Sequence, residues 1–260
     1  LELVLQLEAD RMANLKIEHD LLETEKSAVL GEYRMGLDDP TMMAYEHLYA
    51  TAFQVHPYRF TTIGNEAEIS GFSVENANYF YRKYYSPGNA TIILSGDVAP
   101  EAALKLVDKY YGGYVSQQID RKTAPVEPPQ VLERRKDFTH PQLSESKLLI
   151  GYHTPEARHG DQPALWVLDS VLTTGQGSLL QEAWVDSGLT VDVGGGLDQF
   201  QDPGLWVLSA DLQPEHTPEE ALKVFDQVLE KLTKLNSSDL AQEVERARNQ
   251  LLLALLRPWS

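Results

Sequence analysis

One amphipathic helix near the end of the sequence constrains the fold most strongly. Apolar residues recur at i, i+3 and i+4 spacing across residues 218–235, the pattern of a helix with one buried face. Thr217 precedes Pro218, and Glu220 completes the Thr-x-x-Glu pattern of a capping box. The sequence therefore predicts a capped helix over residues 218–235, packed against other elements along its apolar face.

The start of the sequence repeats this organisation at an offset of 219 residues. Residues 1–15 fall on the helix 218–235, and Asp20-Leu21 falls on Asp239-Leu240. Each copy contains a long amphipathic helix, a short polar break with an aspartate, and a second helix. The offset predicts that the chain contains two related units.

A change of composition separates the two predicted units. Residues 112–130 are rich in proline and polar side chains and lack periodicity, and we interpret residues 124–129 as a linker. The predicted domains are therefore residues 1–125 and 126–260. If the repeat holds, roughly 70 or more residues of the first unit should precede residue 1. The second domain should also lack its end, so we expect both domains to be truncated.

Periodicity and turn signals predict the remaining elements. The predicted helices are 1–15, 21–34, 41–52, 73–85, 100–111, 161–174, 178–186 and a last one from about 239. The predicted strands are 90–95, 130–138, 146–152, 189–197 and 204–212.

Charge and composition exclude several classes of function. The formal net charge of −17 argues against nucleic acid as a partner, because phosphate binding requires clustered Lys and Arg. The absence of cysteine leaves His, Asp and Glu as the available metal ligands. No apolar run approaches the roughly 20 residues that span a bilayer. The compartment stays open, since bacterial periplasm and cytoplasm both suit this composition.

Two glutamates stand out on the predicted helix 21–34. Glu25 and Glu32 are seven residues apart, close to two helical turns, so their carboxylates lie on the same face. Such a pair indicates either a metal ligand with a supporting acid or a solvated, charged surface. At the repeat offset Glu25 falls on Val244 and Glu32 on Leu251. Because the acids occur in one copy only, the repeat favours the metal-site interpretation.

Several motifs, taken in order along nearly the whole chain, resemble the pitrilysin/insulinase family of zinc metallopeptidases. The resemblance is closest to its short two-domain bacterial and mitochondrial-processing-peptidase-like members. The motifs are Glu25-x6-Glu32 with Asp38-Asp39-Pro40, His56-Pro57-Tyr58 with Ile63-Gly64, the run from Tyr79 to Val98, Gly151-Tyr152-His153-Thr154-Pro155, and Asp202-Pro203-Gly204.

The resemblance implies an α+β fold with two related domains, each an antiparallel β-sheet covered by α-helices. It implies a zinc-dependent endopeptidase that hydrolyses peptides or unfolded protein segments, held extended along a sheet edge. A homo- or hetero-dimer with a family partner is a further implication. In this family an H-x-x-E-H helix supplies two histidine ligands and the general base. Carried over, Glu32 matches the third zinc ligand, and Glu25 matches an acid that supports the site from behind the ligands.

The sequence departs from the family pattern in one respect. It contains no H-x-x-E-H motif, and the spacing His153-x-x-Glu156-x-x-His159 includes Pro155, which excludes a regular helical site. We therefore expect this chain alone to bind no zinc and to be inactive. His56 is interpreted as a packed loop residue rather than a ligand.

Two other functions remain open. The chain could belong to a non-catalytic partner subunit, since the family contains members without the zinc motif. It could also be an interaction or scaffold protein that uses the same fold. Retention of both Glu25 and Glu32 argues against a subunit freed from zinc chemistry.

Overall fold

The computed structural model describes residues 1–115, 119 and 123–256 of the chain. These residues form nine α-helices and three β-strands, joined by turns and short single-turn helices. The helices are α1 (Glu2–Asn14), α2 (His19–Leu37), α3 (Pro40–Ala52), α4 (Glu66–Gly71), α5 (Val74–Tyr84), α6 (Pro100–Tyr111), α7 (Gln162–Thr173), α8 (Pro218–Thr233) and α9 (Ser237–Leu256). The strands are β1 (Lys147–Thr154), β2 (Gly194–Leu197) and β3 (Gly204–Asp211).

The chain divides into two compact units that do not follow a single cut in the sequence. The first unit contains residues 1–36 and 62–124, and the second contains residues 37–61 and 125–260. Helix α3 and the loop that follows it therefore belong to the second unit, although they lie early in the chain. The assignment of residues 1–125 and 126–260 to a catalytic-type and a non-catalytic domain stays a prediction.

Parts of both predicted domains lie outside the described residues. These parts are residues 116–118, 120–122 and 257–260.

A three-stranded antiparallel sheet forms the centre of the second unit, in the order β1-β3-β2. β3 pairs with β1 along its whole length, from Lys147 opposite Asp211 to Thr154 opposite Gly204. It pairs with β2 over four positions, from Gly194 opposite Ser209 onward. Since side chains alternate between the faces of a strand, the apolar side chains of the central strand must be buried by other elements on both faces.

The two faces of β3 contribute to two separate apolar clusters. Leu205 and Val207 pack with Ala52 and Phe53 at the end of α3. The alternate residues of β3 face a larger cluster formed with the other helices of the unit. The fully buried members of that larger cluster include Leu172, Leu180, Trp184, Leu208, Leu212, Ala221, Phe225 and Ala247.

Helix α8 shows that the predicted cap and apolar face are both formed. The Thr217 hydroxyl accepts a hydrogen bond from the Glu220 N–H, and the Glu220 carboxylate accepts one from the Thr217 N–H. Ala221, Phe225 and Val228 are buried along the face that the sequence predicted. The α+β fold class is confirmed.

In the first unit, a tyrosine on α5 holds the end of α1. The Tyr81 hydroxyl lies 2.9 Å from the Arg11 carbonyl oxygen and 2.7 Å from that of Met12. The Leu15 N–H donates to the same hydroxyl oxygen at 3.1 Å. The hydroxyl therefore satisfies backbone groups that a helix end leaves without intrahelical partners.

The helix bounds agree with the repeat at an offset of 219 residues. Shifted by that number, α2 falls on residues 238–256, which is α9 without its first residue. Shifted α1 falls on residues 221–233, within α8. Shifted α1 and α2 therefore end where α8 and α9 end in the described residues, and they begin three residues and one residue later.

Two predicted strands do not form. Residues 90–95 and 130–138 have no strand pairing among the described residues, and the Ile93 side chain is 83% exposed. An apolar run indicates a buried strand only if another strand supplies backbone hydrogen bonds. The described part of the first unit contains no such partner, and its described elements are helical.

The predictions for the β2 and β1 regions need smaller corrections. Strand β2 begins at Gly194, and the predicted start near residue 189 forms only an isolated antiparallel bridge between Thr190 and Leu212. Between the two, the Asp211 N–H binds the Asp192 carboxylate. Strand β1 continues through Thr154. Within the described ranges, no helix combines the length and the apolar character that crossing a membrane requires.

The triple glycine of β2 allows α7 to approach the sheet closely. A Cβ on Gly195 would lie 2.2 Å from a carboxylate oxygen of Asp169 and 2.8 Å from the Thr173 side chain. The same Asp169 carboxylate accepts a 2.7 Å hydrogen bond from the Trp206 indole N–H. Burial raises the pKa of Asp169, although the Trp206 and Thr173 donors oppose that rise.

We predict that Gly195→Ala destabilises the protein by about 1–3 kcal/mol, because the methyl group would displace the Asp169 carboxylate from its buried contacts. Urea unfolding would measure this change. Gly196→Ala is the matched control, since a Cβ there has no heavy atom within 4 Å. Equal free energies of unfolding for the two variants would contradict the prediction.

Candidate functional site

Glu25 and Glu32 lie exposed on α2, on the same face of the helix. No hydrogen bond or ion pair joins either carboxylate to another residue that the structure describes. Two nearby acids differ in this respect, since Glu23 pairs with Lys26 and Glu66 with Arg34. The two glutamates singled out by the sequence therefore have carboxylates available to a ligand.

The described residues do not form a zinc site by themselves. Within those ranges no group of three or more His, Asp or Glu side chains is arranged to hold a metal ion. A lone carboxylate is a poor zinc ligand, because protein sites usually supply three or four ligands. The roles of Glu25 and Glu32 stay predictions.

In the second unit, two of the sequence motifs meet at His56. This residue is 5% exposed, and its Nδ1 accepts a 3.2 Å hydrogen bond from the Tyr58 N–H. A neutral ring then carries its proton on Nε2, which lies 3.4 Å from the Asp202 carboxylate. The Asp202 N–H in turn donates to the Tyr58 hydroxyl oxygen at 3.2 Å. The interpretation of His56 as a packed loop residue is confirmed.

A carboxylate caps the segment that follows α3. Glu127 accepts hydrogen bonds from the backbone N–H groups of Gln54, Val55 and His56, at 2.7 to 2.9 Å. Arg134 donates to two carbonyl oxygens in the last turn of α3, at 2.8 and 3.1 Å. The segment around residues 127–134, predicted in part as a strand, instead binds the end of α3.

A cleft of about 420 Å³ opens between α3 and the β2 side of the sheet. It is lined by Tyr45, Tyr49, Gly194, Gly195, Gly196, Leu197, Asp198, Val207 and Ser209. The sequence contains no local signal for this cleft. Its position depends on α3, which lies about 150 residues from β2 in the chain.

Asp198 connects the two walls of the cleft. The Tyr49 hydroxyl lies 2.8 Å from both carboxylate oxygens, and the Leu205 N–H donates to one of them at 2.8 Å. Burial first, and then the hydrogen bond and charge of Asp198, raise the pKa of Tyr49, which keeps its hydroxyl protonated as a donor. The contact orients α3 relative to the end of β2.

Strand β2 also presents an unpaired backbone edge. It is the last strand of the sheet on that side, and no described strand pairs with its outer edge. The Asp198 N–H donates to the Leu205 carbonyl oxygen, so by alternation Gly196 and Gly194 also bond towards β3. The N–H and C=O groups of Gly195 and Leu197 therefore point outward, where an added strand would bind them.

A comparison with known families identifies this fold. The sequence profile described as "Peptidase M16 inactive domain" matches residues 71–251, more than half of the chain. This chain belongs to the peptidase M16 family. The match agrees with the motifs, which resembled the pitrilysin/insulinase zinc metallopeptidases. It does not include α2, which carries Glu25 and Glu32.

Individual relatives extend the match to nearly the whole chain. The "Zinc protease PqqE" of Helicobacter pylori is 30% identical over 238 residues, which are 88% of this chain and 53% of that protein. The crystal structure of a protease from Helicobacter pylori has a TM-score of 0.80 and 27% identity, covering 96% of this chain and 62% of that one. A "Probable mitochondrial-processing peptidase subunit beta" of Schizosaccharomyces pombe is 28% identical over 104 residues, 40% of this chain and 23% of that protein. The chain thus spans about half the length of the Helicobacter pylori zinc protease.

We predict that Glu127→Gln lowers the free energy of unfolding by about 1 kcal/mol at neutral pH, because a partly exposed carboxylate loses its charge-assisted hydrogen bonds. Desolvation would raise the pKa of Glu127, but the three backbone donors outweigh it and the folded-state pKa lies below 4.5. The Glu127 carboxylate therefore adds to the free energy of unfolding above about pH 4.5. This stabilisation is lost as the pH falls through the lower pKa of Glu127 in the folded state.

The measurement is urea unfolding of wild type and Glu127→Gln as a function of pH. The difference between the two should narrow as the pH falls below about 4.5. Glu133→Gln, an exposed change in the same segment, should differ from wild type by less than about 0.5 kcal/mol. A difference for Glu127→Gln that does not change with pH would refute this role.

Proposed function

We propose that this chain is part of a zinc-dependent endopeptidase, which hydrolyses peptides or unfolded protein segments bound in extended form. The observation that carries the proposal is the pair Glu25 and Glu32, exposed on one face of α2 without partners among the described residues. Family membership and relatives named as zinc proteases support it.

In this proposal Glu32 is a zinc ligand and Glu25 orients the groups that surround the ligands. The remaining ligands, two histidines, would come from an H-x-x-E-H helix elsewhere in the whole protein. Bound zinc would supply an activated water for amide hydrolysis. The chain spans about half of its zinc-protease relative, which leaves room for that helix.

The outer edge of β2 is the proposed binding edge for an extended peptide. The backbone groups of Gly195 and Leu197 point away from β3, and adding a strand would satisfy them. Glycines along this edge let another backbone approach closely. An extended or unfolded substrate fits such an edge, because its own backbone groups are free to pair.

A non-catalytic subunit is the second candidate. The observation in its favour is the match of residues 71–251 to a domain described as inactive. Such a subunit would work in a homo- or hetero-dimer with a family partner, and a relative named as a subunit of mitochondrial processing peptidase supports that option. A scaffold protein with this fold would likewise need neither glutamate. The paired acids on α2 therefore favour the enzyme.

We predict that Glu32→Gln in the full-length protein lowers bound zinc to well below half of the wild-type content, because an amide is a much weaker ligand than a carboxylate. Metal analysis of the purified proteins would measure this. Glu23→Gln, on the opposite face of α2, is the control and should keep the wild-type zinc content. Equal zinc in Glu32→Gln and wild type would refute Glu32 as a ligand.

Glu25→Gln should behave differently from Glu32→Gln. We expect it to retain most of its zinc while peptidase activity falls about 10- to 100-fold, as for other residues that support metal ligands. The gene sequence upstream of Leu1 gives an independent test. An H-x-x-E-H motif about 75 residues before Glu32 is expected, and its absence from the complete reading frame would refute the enzyme.

A further inference from the structure

The cleft beside β2 is open because glycines form part of its floor. Gly194 and Gly196 alternate with Gly195, so they lie on the sheet face opposite α7, together with Val207 and Ser209. A Cβ on Gly196 would meet no heavy atom within 4 Å, so the missing side chain leaves usable space. The cleft is therefore a cavity on the face of the sheet, next to the unpaired edge.

The charge of its lining makes this cleft suited to a positively charged group. Asp198 is the charged member of the described residues that line it, and its described donors are neutral, the Tyr49 hydroxyl and the Leu205 N–H. Neutral donors stabilise a carboxylate without cancelling its charge. Tyr45 and Tyr49 add aromatic rings, whose faces attract cations. The cleft thus combines a carboxylate and two aromatic side chains with no cation in its lining.

The register of an added strand would direct one side chain into this cavity. Residues directly opposite each other in paired strands place their side chains on the same face, about 5 Å apart. A peptide residue opposite Gly196 or Gly194 would therefore point towards the α3 side, where Asp198 and Tyr49 lie. At Gly196 no side chain competes for that space, whereas the Ser209 hydroxyl lies over Gly194.

We propose that this cleft receives the side chain of a lysine or arginine from the extended peptide substrate, with Asp198 as its counter-charge. The proposal rests on the proposed function, since it assumes that a peptide adds to the edge of β2. It assigns a preference at one substrate position. A purely apolar occupant would leave the Asp198 charge unmatched.

The test measures peptide binding without catalysis. Two fluorescent peptides are compared, identical except that one carries arginine and the other carries citrulline, which has nearly the same shape without the charge. Fluorescence anisotropy with the full-length protein, in the presence of EDTA to prevent cleavage, gives both dissociation constants. We expect the arginine peptide to bind wild type about tenfold more tightly.

Two variants test whether the preference for the arginine peptide arises in this cleft. Gly196→Leu fills the cleft, and Asp198→Asn removes its charge, so each should bring the ratio of the two dissociation constants close to one. Gly160→Leu is the matched control, because a Cβ there also meets no heavy atom within 4 Å but lies outside the cleft. It should keep the wild-type ratio. Circular dichroism would verify that each variant is folded.

Three results would overturn the inference. They are equal affinities of wild type for the two peptides, a ratio unchanged in folded Gly196→Leu or in folded Asp198→Asn, and no measurable binding of either peptide. None of them affects the zinc content of Glu32→Gln, which tests the proposed enzyme separately. Conversely, failure of the zinc test leaves the binding ratio measurable, so the two ideas can fail independently.

Discussion

The second unit depends on the burial of β3 on both of its faces. Leu205 and Val207 face α3, while Trp206 and Leu208 face the helices on the other side. Each buried apolar side chain contributes roughly 1.5–3 kcal/mol relative to exposure. Because the strand needs cover on both sides, it requires α3 from the early part of the chain as well as the helices that flank it in sequence.

The glycines of β2 follow from this layered arrangement. On one face Gly195 lets α7 approach until the Asp169 carboxylate accepts the Trp206 N–H. On the other face Gly194 and Gly196 leave the cleft beneath Tyr49. One short sequence therefore serves tight packing on one side and open space on the other. The alternation of strand residues makes this possible.

Local sequence patterns predicted eight of the nine described α-helices, and the short α4 was not among them. The capping box at Thr217 and the apolar face through Phe225 were readable because each depends on residues within a few turns. The strand predicted at residues 90–95 failed because Ile93 and its neighbours need a pairing strand that the described residues do not supply. Strand pairing needs backbone hydrogen bonds between two segments, so the sequence of one segment does not predict it.

The candidate sites also separate into those that local sequence predicts and those that depend on distant contacts. Glu25 and Glu32 were found from the sequence, since seven-residue spacing on a helix is a local property and the offset repeat showed where the acids are missing. The contact of Asp198 with Tyr49 was not found, because nothing in the residues around Asp198 specifies a partner 149 residues away. The same holds for Glu127, whose three backbone donors lie in the turn after α3.

By itself, the sequence determined eight of the nine described helices, the capping box of α8, the family resemblance and the two glutamates on one face of α2, and it predicted the repeat. These features depend on periodicity and on short-range order, which are present in the chain before it folds. Only the tertiary structure decided that residues 37–61 join the second unit, that His56 meets Asp202, and that a cleft with one carboxylate lies beside an open strand edge. Such contacts form only when segments far apart in the chain pack on the two faces of β3, so no single segment specifies them.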